Sequence, residues 1–474
     1  MGDVDVVVVG AGPTGLAMAI ELARAGVSHR IVDKSISPAR HSQALVVQPR
    51  TLEQFDRYGI GQRFGEVGRR LDGVAIYDRR RRIAALPFGD LASRHPYLLL
   101  IAQSETERLL GEHLRSLGTE VERGTALVAV RDGADGVELE LRDGQAGTER
   151  VAARWLVGCD GVHSTVRSAI DMPFVGDEVG QLFQLGDVEL RGPGGPRDEL
   201  RVHLRRGELV FIGPLDGDVY RLIVVNYPRD AAPSDRTFGL DDFQAALRRC
   251  VSDELEAVSA EWTSSFHVHE RRAERYRRGN VFLAGDACHV HSPVFGQGMN
   301  TGIQDAANLG WKLAAVREGA DPSVLDSYDA ERRAVGELVV RRTARARSVA
   351  FSGNALLAAV RDAALAVGTS VSKLRERAQA FVSEIAIEYR DSPATVECAR
   401  EGTLRAGDRM PDLELDLQDG TRASVSTPLR AARPLVLDEP GAGVTVVRPD
   451  GYIGFRGGRQ HRSQLEAYAR LIGL

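Results

Sequence analysis

The residues best placed to do chemistry lie between positions 281 and 313, in the stretch VFLAGDACHVHSPVFGQGMNTGIQDAANLGWKL. A short apolar run ends at Asp286, whose carboxylate can accept hydrogen bonds from the hydroxyls of a polyol or a ribose. The loop that follows is broken by Pro293, Gly296 and Gly298, and its glycines allow the backbone to approach a flat ligand closely. We therefore expect a binding site for a planar ligand that carries hydroxyl groups.

A helical pattern begins near Met299 and Asn300, at the end of this loop. The first turn of a helix presents unpaired N–H groups and a partial positive charge, which favour an anionic ligand edge. Reduced flavin is such a ligand, because its negative charge lies along the N1 and C2 carbonyl side of its ring. The alternative is that GDACH is an ordinary turn after a strand and GQGMN an ordinary helix entry.

These groups need a strand before them and a helix after them, and the N-terminus has the same arrangement. Val6 to Val9 form a buried-strand run, GAGPTG follows as GxGxxG, a helix extends to Ala25, and the strand HRIVD ends at Asp33. In such a unit Gly12 lets a pyrophosphate approach the backbone, Gly15 permits close packing of helix on strand, and Asp33 binds ribose hydroxyls. The predicted dinucleotide contacts are Gly10, Gly12, Pro13, Thr14, Gly15, Asp33 and Lys34.

The GxGxxG unit by itself does not separate FAD from NAD. No second GxGxxG is present, and the other ligand-shaped loop stands nearly 300 residues later. A ligand held by both regions must be long and must be gripped at its two ends. FAD meets that requirement, so FAD is the predicted cofactor.

Composition narrows the class of protein. The chain has 474 residues, of which 43% are hydrophobic and 27% charged, as is typical of a soluble globular protein of two to four domains. The formal net charge of -5 gives no electrostatic reason to expect nucleic acid or an anionic membrane as a partner. No apolar run is long enough to span a bilayer, so no membrane span is predicted.

The four cysteines are far apart and form no CxxC pair, which argues against a disulfide framework and against a zinc site. The N-terminus carries no basic segment before its apolar stretch, which argues against a secretory signal. We therefore expect no metal and a reducing, cytoplasmic location.

Six segments taken together carry a resemblance to a known family. They are GAGPTG, RTLEQFDRYGI, QSETERLL, LVGCDGVHSTVR, the stretch at 281–313 and VVRPDGYIGFR. With these segments in this order, the chain resembles the class A FAD-dependent aromatic hydroxylases, the family that includes p-hydroxybenzoate hydroxylase. It is closest in pattern to the hydroxylases of aromatic polyketides.

The resemblance implies an α/β fold: a Rossmann-like FAD-binding domain, a β-sheet substrate domain and a shortened thioredoxin-like C-terminal domain. The predicted boundaries are 1–72, 101–180 and 269–345 for the discontinuous FAD-binding domain, 73–100 and 181–268 for the substrate domain, 346–398 for a helical segment, and 399–474 for the C-terminal domain. The last of these has no CxxC, so we expect a packing or dimer-contact role for it.

The resemblance also assigns residues to the cofactor. It places Gln103 at the ribityl and phosphate region and Asp160 near the pyrophosphate. The residues themselves allow two other readings: Gln103 as a helix-entry residue, and Asp160 as part of a turn to which Arg167 ties the next helix. His291 and Phe295 are the predicted substrate-pocket residues, and Phe295 stands where many relatives have a glycine.

The polar loop after Asp33 offers further candidates. Arg40, Gln43 and Arg50 could reach a diphosphate or a flavin edge, and each could equally be a solvated loop side chain. Many relatives have Ser-Arg-Ala where this chain has Ser42-Gln43-Ala44, so the usual arginine charge is missing unless Arg40 replaces it.

The activity implied is hydroxylation of a small phenolic or other aromatic substrate by a monomer or homodimer. NADPH or NADH reduces FAD, O2 adds to form the flavin C4a-hydroperoxide, and its terminal oxygen attacks the ring. No catalytic acid or base can be assigned from the sequence. Epoxidation, Baeyer-Villiger oxidation and a redox-silent dinucleotide-binding protein remain alternatives. A halogenase would show WxWxIP, and none of the three tryptophans lies in such a setting.

Overall fold

The structure is a computed structural model. It describes residues 4–38, 44–144, 147–205, 207–226, 238–293, 296–350, 355–398, 402–416, 422–439 and 443–474, with the backbone alone at 178–181, 267–268, 345–350 and 355–356. No helix in these ranges combines the length and the apolar character that crossing a bilayer requires.

The first sheet has eight strands, and its centre is parallel. Its strands are β1 (Val4–Val9), β2 (His29–Asp33), β8 (Val121–Arg123), β9 (Thr125–Gly133), β10 (Gly136–Asp143), β11 (Gly147–Gly158), β17 (Arg277–Arg278) and β18 (Val281–Leu283). Strands β18, β11, β1, β2 and β8 lie side by side in that order and run parallel. Parallel strands covered on both faces are continuously apolar, as the fully buried Val6–Val8 and Val281–Leu283 are.

Helices pack against this sheet. The principal ones are α1 (Pro13–Arg24), α4 (Gln103–Ser116) and α7 (Gly298–Arg317), and α1 packs against both α4 and α7. The predicted strand, glycine turn and helix at the N-terminus is thus present. The remaining helices are α2 (Pro49–Tyr58), α3 (Gly61–Val67), α5 (Thr165–Ala169), α6 (Leu240–Cys250), α8 (Asp326–Tyr328), α9 (Ala334–Ala350), α10 (Ala355–Ser370), α11 (Ser372–Val382) and α12 (Arg462–Ile472).

The second sheet also has eight strands and is mostly antiparallel. In spatial order they are β19 (His289–Val290), β16 (Glu256–Ala273), β12 (Phe174–Arg191), β15 (Val219–Asn226), β14 (Glu208–Pro214), β13 (Glu199–Arg205), β5 (Gly73–Asp78) and β6 (Arg81–Pro87). Strand β12 begins before position 181 and β19 lies after position 268, so this sheet extends beyond the range predicted for it. The domain boundaries given above remain predictions.

Side chains of the second sheet alternate between two clusters, as the period of a strand requires. Along β14, Leu209 and Phe211 belong to one cluster, whereas Val210 and Ile212 belong to the other. Helix α6 covers the second face, and Leu365 of α10 lies against the first. Arg79 and Arg80 form the turn that connects β5 to β6.

Two smaller sheets and a hairpin complete the fold. A three-stranded sheet beside the α7 entry contains β3 (Val46–Val47), β7 (Leu98–Leu100) and β4 (Arg69–Leu71). The C-terminal part contains a four-stranded sheet and a two-stranded hairpin. Their strands are β20 (Val396–Glu397), β25 (Ile453–Gly457), β24 (Gly443–Val447) and β23 (Leu435–Glu439), and then β21 (Glu414–Asp416) with β22 (Arg422–Ser424). Helix α12 packs against β25 and α7.

Candidate functional site

Three of the predicted motifs follow three neighbouring strands of the first sheet. Val9 of β1 is in register with Gly158 of β11, and Gly158 is in register with Leu283 of β18. All three strands are parallel, so GAGPTG, CDG and GDACH begin at the same edge of the sheet. The carboxyl edge of an open parallel sheet is where such folds bind their ligands. Segments nearly 300 residues apart in the chain are thus brought to one place.

The three glycines of GAGPTG have three different environments. Gly10 has φ +98°, and a Cβ there would lie 2.4 Å from the carbonyl oxygen of Cys159. A Cβ on Gly15 would lie 1.8 Å from the carbonyl oxygen of Gly10, so α1 packs directly on the turn. A Cβ on Gly12 would meet nothing within 4 Å. The protein itself leaves the space at Gly12 open, where a ligand can approach the backbone.

The start of α1 completes this part of the site. Pro13 occupies the first turn, where its missing N–H removes no helical hydrogen bond, and Gly12 caps the helix without a side-chain acceptor. The neighbouring Thr14 side chain lies where a Cβ of Gly285 or of Gly302 would be, at 2.6 and 2.3 Å from its Oγ1. Thr14 therefore packs the N-terminal motif against the GDACH turn and against α7.

Asp33 ends β2 beside the glycine turn. Its Oδ2 accepts a hydrogen bond from the backbone N–H of Ala11 at 2.7 Å, and its Oδ1 accepts one from Ser35 at 2.8 Å. Arg123 lies 3.7 Å from the same carboxylate. Asp33 thus fixes the turn, and it is only partly buried. Lys34 is exposed beside it.

Asp160 follows β11, and its carboxylate is bonded to the start of α5. It accepts hydrogen bonds from the Ser164 hydroxyl at 2.5 Å and from the backbone N–H groups of Thr165 and Val166 at 2.6 and 3.1 Å. Arg167 donates to the carbonyl oxygens of Val162 and Ala287, which ties this loop to the GDACH turn. These contacts favour the turn interpretation of Asp160, and its placement at a pyrophosphate remains a prediction.

Asp286 follows β18 at the carboxyl edge of the first sheet. Its side chain is exposed to solvent, yet protein atoms surround it closely, and this burial, helped by Asp305, raises the pKa of its carboxyl. The preceding residue, Gly285, has φ +63° and donates its N–H to Asp305 Oδ2 at 3.0 Å. The turn that aims Asp286 is therefore held by a carboxylate on α7.

Asp305 is the centre of a buried group that the sequence analysis did not identify. Its Oδ2 lies 2.7 Å from His289 Nε2, and Arg332 donates to its Oδ1 at 2.6 Å, with all three side chains fully buried. Arg332 also bonds the carbonyl of Thr301 and the hydroxyl of Tyr389. The sequence signal that could have identified Asp305 was a charged residue inside the apolar helical pattern IQDAANLGWKL.

In the described part of the chain, Cys288, His289 and Asp305 form one cluster with metal-ligating atoms close together. Arg332 already neutralises Asp305, and burial raises the pKa of the Cys288 thiol well above its usual value. The donor set therefore fits an ion pair better than a cation site.

The loop before α7 turns sharply and leads into the helix. The backbone N–H of Gly296, which has φ +64°, donates to the carbonyl of Pro293 at 2.9 Å, and α7 begins at Gly298. The half-buried Met299 and the buried Asn300 occupy its first turn. These first-turn N–H groups have no acceptor within the helix.

The side chain of Asn300 is used to fix this loop. It donates to the carbonyl oxygens of Val46 and Gly296, both at 2.8 Å, and accepts from the backbone N–H of Gln48 at 2.9 Å. Its amide thus holds β3 against the helix entry, so only its backbone N–H is left for a ligand.

Buried polar atoms without a partner gather at this helix entry. They are the Nε2 of His291, the Oγ of Ser292 and the Oε1 of Gln297, on residues that are 8%, 0% and 1% exposed. Buried polar atoms are nearly always bonded in native proteins, so a group of unpartnered ones indicates a ligand. Together with the open space at Gly12 and the accessible Asp286, the atoms of Ser292 and Gln297 fit a long ligand with donors at its planar end, as FAD requires.

Of the other predicted residues, the structure describes Gln103 but not Arg40, Gln43 or Phe295. Gln103 opens α4, where its side chain accepts from Ala44 N–H at 3.4 Å and donates to Glu107 at 2.9 Å, so it has the helix-entry contacts. The predictions for Arg40, Gln43 and Phe295 lie outside the described residues.

Arg50 corrects an expectation, because it is neither solvated nor at the site. It is buried, donates to Glu53 at 2.9 Å and to the carbonyl of Asp450 at 2.8 Å, and lies 4.7 Å from the ring of Tyr452. Its guanidinium therefore joins α2 to the C-terminal part.

Comparison with known proteins gives a consistent result. A family model described as an FAD binding domain matches residues 3–343. The chain is 35% identical to the 12-dehydrotetracycline 5-monooxygenase/anhydrotetracycline 6-monooxygenase of Streptomyces rimosus, over 95% of this chain and 94% of that protein. It is 34% identical to the dialkyldecalin synthase of Streptomyces rugosporus, over 94% and 89%. The solved anhydrotetracycline hydroxylase of Streptomyces rimosus superimposes with a TM-score of 0.82 at 33% identity, covering 99% of both chains.

Proposed function

The chain belongs to the family of FAD-dependent monooxygenases that share this FAD-binding domain, and from that premise we propose that it hydroxylates a phenolic, polycyclic substrate with O2 and NADPH or NADH. One observation carries the proposal: GAGPTG and GDACH follow β1 and β18, the two strands that flank β11, and the entry of α7 packs beside them. The relative that acts on anhydrotetracycline, as its name states, supports a fused-ring substrate.

In this proposal the cofactor lies along the carboxyl edge of the first sheet. The pyrophosphate approaches Gly12 at the N-terminus of α1, Asp33 lies at the adenosine ribose, and Asp286 accepts hydrogen bonds from the ribityl hydroxyls. The N–H groups at the start of α7 face the anionic edge of the ring. When bound, FAD supplies electron transfer from the nicotinamide to dioxygen, which protein side chains cannot perform.

The side chains around the α7 entry would exclude water from the reacting ring. One buried apolar cluster contains Leu45 and Val46 at the start of β3, Leu200 of the second sheet and Val382 of α11. This cluster joins the predicted cofactor edge to the predicted substrate sheet. A dry boundary of this kind strengthens polar contacts inside the site and suppresses side reactions with water.

The absorption spectrum of the purified protein is the first test. Bound oxidised flavin gives an absorption band at about 450 nm. The second test adds anhydrotetracycline and compares NADPH with NADH, following nicotinamide consumption and the mass of the product. A product heavier by one oxygen, formed together with nicotinamide oxidation, supports the proposal. Protein without flavin after addition of FAD contradicts it.

The similarity to a protein named a dialkyldecalin synthase favours a second candidate, in which this chain forms a carbon ring system and its FAD binding domain has no redox role. Such a protein would retain FAD and consume no nicotinamide with any phenol. Epoxidation and Baeyer-Villiger oxidation also insert one oxygen, and the carbon spectrum of the product separates an epoxide or an ester from a phenol.

The proposal includes a cytoplasmic location and a monomeric or homodimeric state. All four cysteines are free, which supports a reducing compartment. Size-exclusion chromatography with light scattering measures the oligomeric state directly.

A further inference from the structure

His291 is a buried histidine with a defined tautomer. Its Nδ1 lies 3.0 Å from the carbonyl oxygen of Ser292, which can only accept, so Nδ1 carries the hydrogen. Burial, together with the neighbouring His289, lowers the pKa of His291 to about 4. At neutral pH the ring is therefore uncharged, and Nε2 presents a lone pair.

That lone pair has no partner and faces the start of α7. His291 is 8% exposed, and its Nε2 is the nearest heavy atom to a Cβ placed on Gly298, at 4.0 Å. A buried acceptor without a partner destabilises the protein, because it has lost its hydrogen bonds to water. A ligand donor at this position would remove that destabilisation.

We propose that Nε2 of His291 accepts a hydrogen bond from the hydroxyl group of the bound aromatic substrate. This inference rests on the proposed function and adds the residue that recognises the phenol. His291 directly follows β19, which pairs with β16 as the edge strand of the second sheet. It therefore lies where the carboxyl edge of the first sheet, at which the cofactor is proposed to bind, meets the second sheet, which is predicted to bind the substrate.

The contact has a chemical consequence that requires no proton transfer. A hydrogen bond accepted from a phenol O–H shifts electron density toward the phenol oxygen and into the ring, which makes the ring carbons more nucleophilic. A neutral acceptor also selects the hydroxyl form, because a methyl ether offers no donor and leaves Nε2 unpaired. His291 would thus contribute both to specificity and to the reactivity of the ring.

The other buried histidine of this segment has a different role. His289 is fully buried, and its Nε2 is bonded to Asp305, which Arg332 neutralises. His289 therefore belongs to the group that holds the GDACH turn, whereas His291 retains a free acceptor at the helix entry.

The test uses the FAD-loaded protein and two probes, 2-naphthol and 2-methoxynaphthalene, with binding measured by calorimetry. Wild type should bind 2-naphthol about tenfold more tightly than the ether, as expected for one buried hydrogen bond. His291→Phe should remove this preference while FAD retention stays at the wild-type level. His291→Gln, whose amide oxygen can replace Nε2, should restore part of it.

His203 provides a matched control. It is 3% exposed, bonds the carbonyl of Arg79 through Nδ1 at 2.9 Å, has an unpartnered Nε2, and lies on β13 of the second sheet. Burial lowers the pKa of His203 to about 4 as well. His203→Phe should leave the preference for 2-naphthol unchanged.

Three outcomes overturn the inference. The first is a wild type that does not prefer 2-naphthol, including one that binds neither probe. The second is a His291→Phe variant that keeps the preference. The third is a His291→Phe variant whose main defect is loss of FAD. The last outcome would place the Nε2 partner on the flavin. Failure of the proposed function is separate, because it appears as absent flavin or absent nicotinamide consumption in the wild type.

Discussion

The N-terminal end of α7 borders His291, Ser292 and Gln297, each with a buried polar atom that lacks a partner, whereas its C-terminal half carries charges that are fully bonded. There, Lys312 donates to Glu331 and to Asn308, both at 2.8 Å. One helix thus has an end beside which three buried polar atoms lack partners and an end whose buried charge is paired within the protein.

The bonded end links α7 to the C-terminal part. Arg448 donates to both oxygens of Glu331, at 2.7 and 2.9 Å, and to Asp450, and all the side chains of this group, with Lys312, are 2% exposed or less. These neighbours hold the pKa of the Glu331 carboxyl well below its usual value. The difference between the two ends teaches that burial alone does not mark a site. A binding site is marked by a group of buried polar atoms that have no hydrogen-bond or ion-pair partner in the protein.

The largest expected effect comes from breaking the bonded end. Glu331→Ala leaves Lys312 and Arg448 buried without their shared carboxylate, which should cost about 3 to 5 kcal/mol of the free energy of unfolding. The denaturation midpoint in urea measures it. Arg462→Ala, which breaks an exposed pair with Glu466, is the control and should leave the midpoint unchanged. A wild-type midpoint for Glu331→Ala would show that the network does not stabilise the fold.

The next largest effect is expected on FAD affinity, from a substitution at Gly12. Gly12→Val places a side chain in the space that the protein leaves open, so the variant should fold and lose FAD affinity by at least about 100-fold. Flavin absorbance after dialysis, beside a thermal melt, measures both. Gly89→Val is the control, since a Cβ there also meets nothing within 4 Å and Gly89 lies in the turn after β6 of the second sheet. Equal flavin content in Gly12→Val and wild type would remove GAGPTG from the site.

Asp286→Ala should weaken FAD binding by about 10- to 100-fold, because it removes a charge-assisted hydrogen bond worth about 1.5 to 3 kcal/mol. Titration of the apoprotein with FAD gives the dissociation constant. Asp286→Asn keeps an acceptor oxygen and should lose less affinity than the alanine variant. Full FAD retention by Asp286→Ala would show that the ribityl chain lies elsewhere.

Between the two ends of α7, Glu384 should give an effect that depends on pH. It is buried, has φ +62°, and accepts from Thr301 and Gln304 of α7. Burial raises the pKa of Glu384 to about 8, whereas its usual value is 4.5. Between these values the unfolded chain releases a proton that the folded chain keeps, so the free energy of unfolding falls as pH rises, by about 1 kcal/mol per pH unit.

Glu384→Gln should flatten that dependence between pH 5 and pH 8. Denaturation midpoints at four pH values across this window measure the slope of each protein. The two proteins should have similar stability at pH 5, and the variant should be the more stable at pH 8. Equal slopes would show that Glu384 does not titrate in this window.

Much of the site could be predicted because its motifs are local. A strand, a glycine turn and a helix within about 30 residues have patterns of period 2 and 3.6 that need no tertiary information. The predicted strand before Asp286, the helix from about Met299 and the helix entry at Gln103 are all present. The roles of Gly10 and Gly15 are equally local, since a turn and a close helix contact leave no room for a side chain.

Only the tertiary structure decided which polar groups are already bonded. The carboxylate of Asp160 is bonded to α5, the guanidinium of Arg50 to the C-terminal part, and Asp305 to Arg332, whereas His291 is left with a free acceptor. The bonding of a polar group depends on partners that can stand hundreds of positions away, and neither composition nor periodicity records them. The sequence by itself therefore determined the local strand, turn and helix elements and predicted where the cofactor binds, and the packing of distant segments determined which polar groups are already bonded.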